Sequence, residues 1–131
     1  MEMKISFPGG SRVDADFNGF KVPTDQALES GEPGSAPEPY DLFVASLGTC
    51  AGIYALSFCQ ERGLSTEGLA IEVIAEKNDK SGLFTRIEME ISLPADFPKR
   101  YHKAICRTAG LCTVKRSLAT PPAFNISAKP A

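Results

Sequence analysis

The chain has 131 residues, 43% of them hydrophobic, enough for one compact domain with a core and short for two. Its 14 Lys and Arg against 16 Asp and Glu leave a net charge of -2, which supplies no field to gather a phosphate backbone or an anionic lipid surface. Nucleic acid and membrane are therefore not expected partners, and the expectation is a single domain over residues 1–131. The opening MEMKISFPGG lacks the apolar stretch and small-residue cleavage site of a secretory leader, so the expected location is the cytoplasm. In that reducing setting the four cysteines are thiols, buried or reactive, and their spacings of 9, 47 and 6 contain no CxxC pair. No metal and no bound organic cofactor is expected.

In chain order, Met3 to Phe7 and Arg12 to Phe17 read as strands, the second with Val13, Ala15 and Phe17 alternating against polar neighbours. Asn18-Gly19 is a two-residue hairpin turn into Phe20 to Val22, because both residues tolerate the positive φ that turn requires. Thr24 to Pro39 is rich in Gly, Pro, Ser and Glu and reads as a surface loop. Leu42 to Gln60 is a run of 19 residues without a charge. Its Gly, Ser, Thr and Gln content, with Asp41 and Glu61-Arg62 tight on either side, favours a buried helix over a membrane span. Such a helix is apolar around most of its circumference, and one small sheet and one further helix cannot cover it, so a dimer is expected.

Gly63 ends the helix, and Leu69 to Glu76 and Leu83 to Leu93 form a hairpin across Asn78 to Gly82. One face of that hairpin is wet, since Ile87, Met89, Ile91 and Leu93 alternate with Arg86, Glu88, Glu90 and Ser92. A second helix is predicted from Pro98 to Ala109, with Asp96 near its cap, and is broken by Gly110. A short helix over Leu111 to Leu118 and a strand over Ala123 to Ser127 complete an α+β order.

Cys50 lies mid-helix on a stripe with Phe43, Leu47 and Tyr54, flanked by Gly48, Thr49 and Gly52, small residues that let a substrate or another backbone come close. A buried core thiol is the competing reading of that position. Cys112 follows the Gly110 break at the start of a short helix, with Lys115 and Arg116 just beyond, so local electrostatics make it the low-pKa thiol. Cys59 and Cys106 read as structural. Arg12 heads a strand beside two glycines and by itself is a solvated charge. His102 sits among Lys99, Arg100 and Lys103 on an exposed face, which removes the usual base for Cys-His chemistry.

The segment from Pro39 to Cys50 (PYDLFVASLGTC) and the segment from Ala109 to Val114 (AGLCTV), together with Gly9-Gly10-Ser11-Arg12-Val13-Asp14-Ala15, resemble the OsmC/Ohr family of organic hydroperoxide reductases over nearly the whole chain. The resemblance implies an OsmC-like fold in which antiparallel sheets wrap two long central helices of an intertwined homodimer. It implies that Cys50 is the peroxidatic thiolate, Cys112 the resolving thiol and Arg12 the holder of the thiolate charge, which reverses the ranking that local electrostatics gives the two cysteines. Where hydroperoxide reductases carry a glutamate ten residues before the peroxidatic cysteine this chain has Tyr40, with Asp41 the nearest acid to take the arginine-orienting role. Thr113 stands where the family commonly has proline.

The expected chemistry is attack of the thiolate on a peroxide oxygen, loss of an alcohol, and condensation of the sulfenic acid with the second thiol. Phe43, Leu47 and Tyr54 would line the site and favour an alkyl or fatty-acyl hydroperoxide. A dithiol, of lipoyl type by resemblance, would reopen the disulfide. The rival readings are a redox sensor without turnover and a dimeric ligand-binding domain.

Overall fold

The computed structural model describes residues 1–131. The chain divides into two compact units, Met1–Ala45 and Ser46–Ala131. The N-terminal unit is a three-stranded antiparallel sheet of β1 (Lys4–Gly9), β2 (Arg12–Phe17) and β3 (Phe20–Thr24), in that order. Lys4 pairs with Asp16 and Ser6 with Asp14 before a register shift ahead of Gly9, and Phe17 pairs with Phe20 across the hairpin. Asn18 and Gly19 both take positive φ, as the tight hairpin turn demands.

The stretch after β3 is without regular structure and is organised by one buried carboxylate. Asp25 accepts hydrogen bonds from Ser11 Oγ (2.6 Å), the Gln26 N–H (2.8 Å), the Ser35 N–H (2.9 Å) and Ser35 Oγ (2.6 Å). These donors, Ser11 first, hold its carboxyl below the usual carboxylate range. Gly34 is required here, since a Cβ at that position would stand 2.2 Å from the Gln26 carbonyl oxygen.

Helix α1 (Pro39–Glu61) is capped at its start by Asp41, whose carboxylate accepts the Glu38 N–H at 3.0 Å while the Glu38 carbonyl accepts the first helical bond, from the Leu42 N–H. Pro39 occupies the first helical turn, where its missing N–H is no loss. The helix stops where Gly63 turns to φ +63 and the Leu64 N–H reaches back to the Cys59 carbonyl. By length and composition α1 could cross a membrane.

In the C-terminal unit, β4 (Ala70–Lys77) and β5 (Phe84–Ser92) pair antiparallel, with Ile71 opposite Ile91 and Ala75 opposite Ile87. Gly48 lets this hairpin close on α1, because a Cβ there would come within 3.0 Å of Val73 Cγ2. The helix glycine thus serves packing against the sheet. One core cluster joins Ala55, Phe58 and Cys59 of α1 to Phe97 and Ile105, and the other joins Ala51 to Ala109 and Cys112. Burial pushes the Cys59 thiol up, as suits a core sulfur.

Three expectations change. The turn before the second helix is a 3-10 turn (Lys99–Tyr101) whose cap, Pro98, carries no side-chain bond, and α2 proper is His102–Ala109. Gly110 ends α2 as expected, and does so within the right-handed region (φ -66). The last helix, α3 (Thr113–Ala119), starts one residue past Cys112, which is its cap instead of a first-turn residue. Ala123 to Ser127 is not a strand: no strand of this chain pairs with it, and Phe124 and Ile126 lie 82% and 97% exposed.

Candidate active site

The C-terminal unit brings Cys50 and Cys112 together. Cys50, half-buried on α1, packs on the cluster of Ala51, Ala109 and Cys112, and the Cys112 side chain favours its thiolate. The two cysteines come from the middle of a long helix and the cap of a short one, a junction made by Ala51 and Ala109 meeting in the core. Cys112 is 2% exposed; its sulfur accepts the Lys115 N–H at 3.4 Å and its thiol points to the Leu47 carbonyl at 3.8 Å.

Cys50 is held below its ordinary thiol value. The Val114 N–H contributes most, burial opposes it, and the Cys112 thiol, the Thr113 N–H and the positive charge of Arg116 add to the lowering. The electrostatic reading of the sequence placed thiolate-favouring groups at the start of α3, and they are there. Across space, the Thr113 and Val114 amides serve the sulfur of Cys50. Thr113 has a consequence here: a proline in its place could donate no N–H. Its hydroxyl lies 3.1 Å from Tyr54 Oη, and Arg116 Nη2 donates to both Thr113 Oγ1 (3.2 Å) and Tyr54 Oη (3.4 Å). Tyr54 is one turn beyond Cys50 and Thr113 adjoins Cys112, so this clasp spans the cysteine pair. Linear reading assigned Arg116 to Cys112 and saw Thr113 only as a departure from proline; their clasp with Tyr54 was not legible in it.

Arg12 belongs to the N-terminal unit, where its Nη2 donates to both carboxylate oxygens of buried Asp14 (3.1 and 3.0 Å). The carboxylate that orients Arg12 is thus Asp14, two residues along the same strand face. Asp41 instead caps α1. Arg12 Nε is buried and without a hydrogen-bond partner. Phe43, on the part of α1 within the N-terminal unit, packs its ring 5.6 Å from that of Tyr40.

Within the C-terminal unit a cavity of about 360 Å³ lies between Leu47 and Ala51 of α1, Ile71, Ile87 and Ile91 of the hairpin, and Cys112. Lys115 is its cationic group, with Nζ 3.4 Å from the Gly110 carbonyl. Cys106, expected in the core, is exposed and shares this wall: Ile105 and Ala109 turn inward, and one helical step carries residue 106 off that face. The structure contains no cluster of three or more His, Cys, Asp or Glu able to hold a metal.

The fold and its paired thiols place the chain in a known class: it matches the family of OsmC-like proteins over residues 31–127 and belongs to that family. Among solved structures, a Psychrobacter arcticus protein described as one of osmotic stress induction and detoxification response superimposes with a TM-score of 0.76 at 20% identity, over 88% of this chain and 85% of that one. An OsmC like protein of Mycoplasma pneumoniae superimposes with a TM-score of 0.66 at 15% identity, over 92% of this chain and 87% of that one. The organic hydroperoxide resistance protein OhrB of Bacillus subtilis gives 0.54 at 16% identity, over 92% and 93%. Identities this low show the shared fold. No curated protein matches the chain.

Proposed function

We propose that this chain is a thiol-dependent peroxidase that reduces organic hydroperoxides to alcohols. The observation that carries the reading is the meeting of a half-buried thiol, held toward thiolate by the Val114 and Thr113 amides, with a second thiol packed against it. Cys50 attacks the distal peroxide oxygen, the O–O bond breaks, and the alkoxide leaves as the alcohol on taking a proton. The Cys50 sulfenic acid then condenses with the Cys112 thiol, releasing water and forming the disulfide. A dithiol reductant, of lipoyl type by family likeness, restores both thiols. OhrB of Bacillus subtilis, a structural relative, is named for organic hydroperoxide resistance, which agrees with this substrate class.

Arg12 takes the role of a cation for the thiolate, oriented by Asp14, with Nε–H still available to an anion. Asp41 supports the site by fixing the start of α1. Leu47, Phe43 and Tyr54 furnish the apolar surroundings, Tyr54 with its hydroxyl engaged by Thr113 and Arg116. The working unit is a cytoplasmic homodimer. Exposed apolar side chains support the dimer: Phe7 and Phe20 on the N-terminal sheet, Ile53 on α1, and Phe124 and Ile126 near the C-terminus. Light scattering is expected to give twice the 14.0 kDa chain mass.

Steady-state consumption of cumene hydroperoxide with a dithiol reductant tests the activity. Sustained turnover that disappears in Cys50→Ser is expected. A single equivalent consumed by wild type, with the disulfide left standing under excess dithiol, would identify a sensor and overturn the enzyme reading.

A further inference from the structure

The cavity in the C-terminal unit is walled by one member of the cysteine pair. Cys112 lines it and Cys50 does not, while the Cys112 sulfur has Cys50 against it on another side. Of the apolar residues assigned to the peroxide site, Leu47 borders this space, whereas Phe43 and Tyr54 do not. Its walls, Leu47, Ile71, Ile87, Ile91 and Leu118, are apolar, and its volume falls in the range of small-molecule sites, about 300–1,000 Å³. The charge at its edge is the ammonium of Lys115. An occupant suited to these walls has an apolar chain and a negatively charged reacting end, and the group it meets is a sulfur.

We propose, resting on the peroxidase reading above, that this cavity is the docking site of the reductant, a dithiol carried on an apolar chain, and that reduction begins by attack on Cys112. The reductant thiolate, drawn by Lys115, forms a bond to Cys112 Sγ. The Cys50–Cys112 bond breaks, and Cys50 leaves with the electron pair as a thiolate. The second reductant thiol, once deprotonated, attacks the reductant sulfur of the mixed disulfide. Cys112 departs as a thiolate and takes up the proton, the reductant leaves oxidised to its own disulfide, and the protein has gained two electrons. The order agrees with exchange chemistry, in which a sulfur stabilised as thiolate is a good leaving group. Cys50, held toward thiolate by Val114, Thr113 and Arg116, is such a sulfur. Peroxide and reductant thus reach the same disulfide centre through different sulfurs, so bound reductant does not block the peroxidatic thiol.

The test uses full-length protein with Cys106→Ser, oxidised with diamide so that the disulfide forms whether or not peroxide makes it. It is mixed briefly with 6-mercaptohexan-1-ol, quenched with iodoacetamide and mapped by mass spectrometry. The expected product carries mercaptohexanol on Cys112 and the alkyl label on Cys50, and the reverse pattern would overturn the proposal. Mercaptohexanol is also expected to reduce the disulfide about tenfold faster than 2-mercaptoethanol, since its longer chain is buried. Leu118→Glu, at an exposed position of the wall, should erase that preference. Equal rates for the two thiols in the parent protein would show that the cavity is not the docking site. Failure of cumene hydroperoxide to form the disulfide that diamide forms would instead sink the peroxidase reading and leave the exchange result standing.

Discussion

Asp25 in the N-terminal unit and Cys50 in the C-terminal unit are both held toward their charged forms by hydrogen bonds donated from loops and turns of the chain. Around Asp25 the supply is complete: each carboxylate oxygen receives two donors, all from within the loop and the β1–β2 turn that it ties together. Nothing is left for a substrate, and the result is a structural staple. Around Cys50 the amides of Thr113 and Val114 and the charge of Arg116 stabilise the anion while the residue stays half-buried, within reach of a reactant. Saturating an anion makes a fold element, and stabilising it while leaving it reachable makes a nucleophile.

Removing the staple is expected to give the largest structural effect. Asp25→Asn turns one acceptor oxygen into a donor facing the N–H and hydroxyl of Ser35, leaving buried donors unpaired. A loss of several degrees in Tm and fast proteolysis between residues 26 and 38 are expected by calorimetry and limited digestion. Because the Asp25 carboxyl is depressed, its stabilisation is present above the ordinary carboxylate value of about 4 and is lost as pH falls through the lower folded value. The wild-type loop should therefore stay protected from protease down to that pH.

The second effect falls on Cys50. Thr113→Pro fits the first position of α3, where proline is tolerated, and deletes one N–H donor to the thiolate. Iodoacetamide labelling of Cys50 at pH 6 should slow severalfold with the Tm little changed. Since the thiol is depressed, wild-type labelling should rise with pH to a midpoint below that of an ordinary cysteine, and the variant's midpoint should move up. Arg116→Gln is expected to shift that midpoint in the same direction by less, because Arg116 is exposed and its charge is screened. Labelling that loses its dependence on salt concentration in Arg116→Gln would confirm the electrostatic origin. Cys59→Ala, in the core, should cost about 1 kcal/mol in urea unfolding and leave Cys50 labelling unchanged.

Periodicity and turn chemistry made most of these elements legible. The charge-free run, the Asn18-Gly19 hairpin and the alternation in β5 each encode a local preference, and each element forms within a few residues of its predicted bounds. The family resemblance identified the two cysteines that meet. What stayed hidden depends on partners distant in sequence. Asp25 reads as one more loop acid until Ser11 and Ser35 fold around it. Asp14 reads as a polar strand position until Arg12 pairs with it, and Asp41 reads as the nearest acid until it caps α1. The start of α3 was recognised as anion-favouring, but linear proximity assigned its amides to Cys112. Cys106 was misplaced for a different reason: its neighbours Ile105 and Ala109 define the buried face, and composition alone does not fix helical phase.

The division of labour between the two thiols is tested most directly by a single turnover. Cys50→Ser and Cys112→Ser are each mixed with one equivalent of cumene hydroperoxide and a sulfenic acid trap, then read by mass spectrometry. Cys112→Ser is expected to consume one equivalent and carry the trapped sulfenic acid on Cys50, while Cys50→Ser consumes none. A sulfenic acid on Cys112 in the Cys50→Ser protein, formed as fast as wild type reacts, would contradict the account and make Cys112 the attacking sulfur.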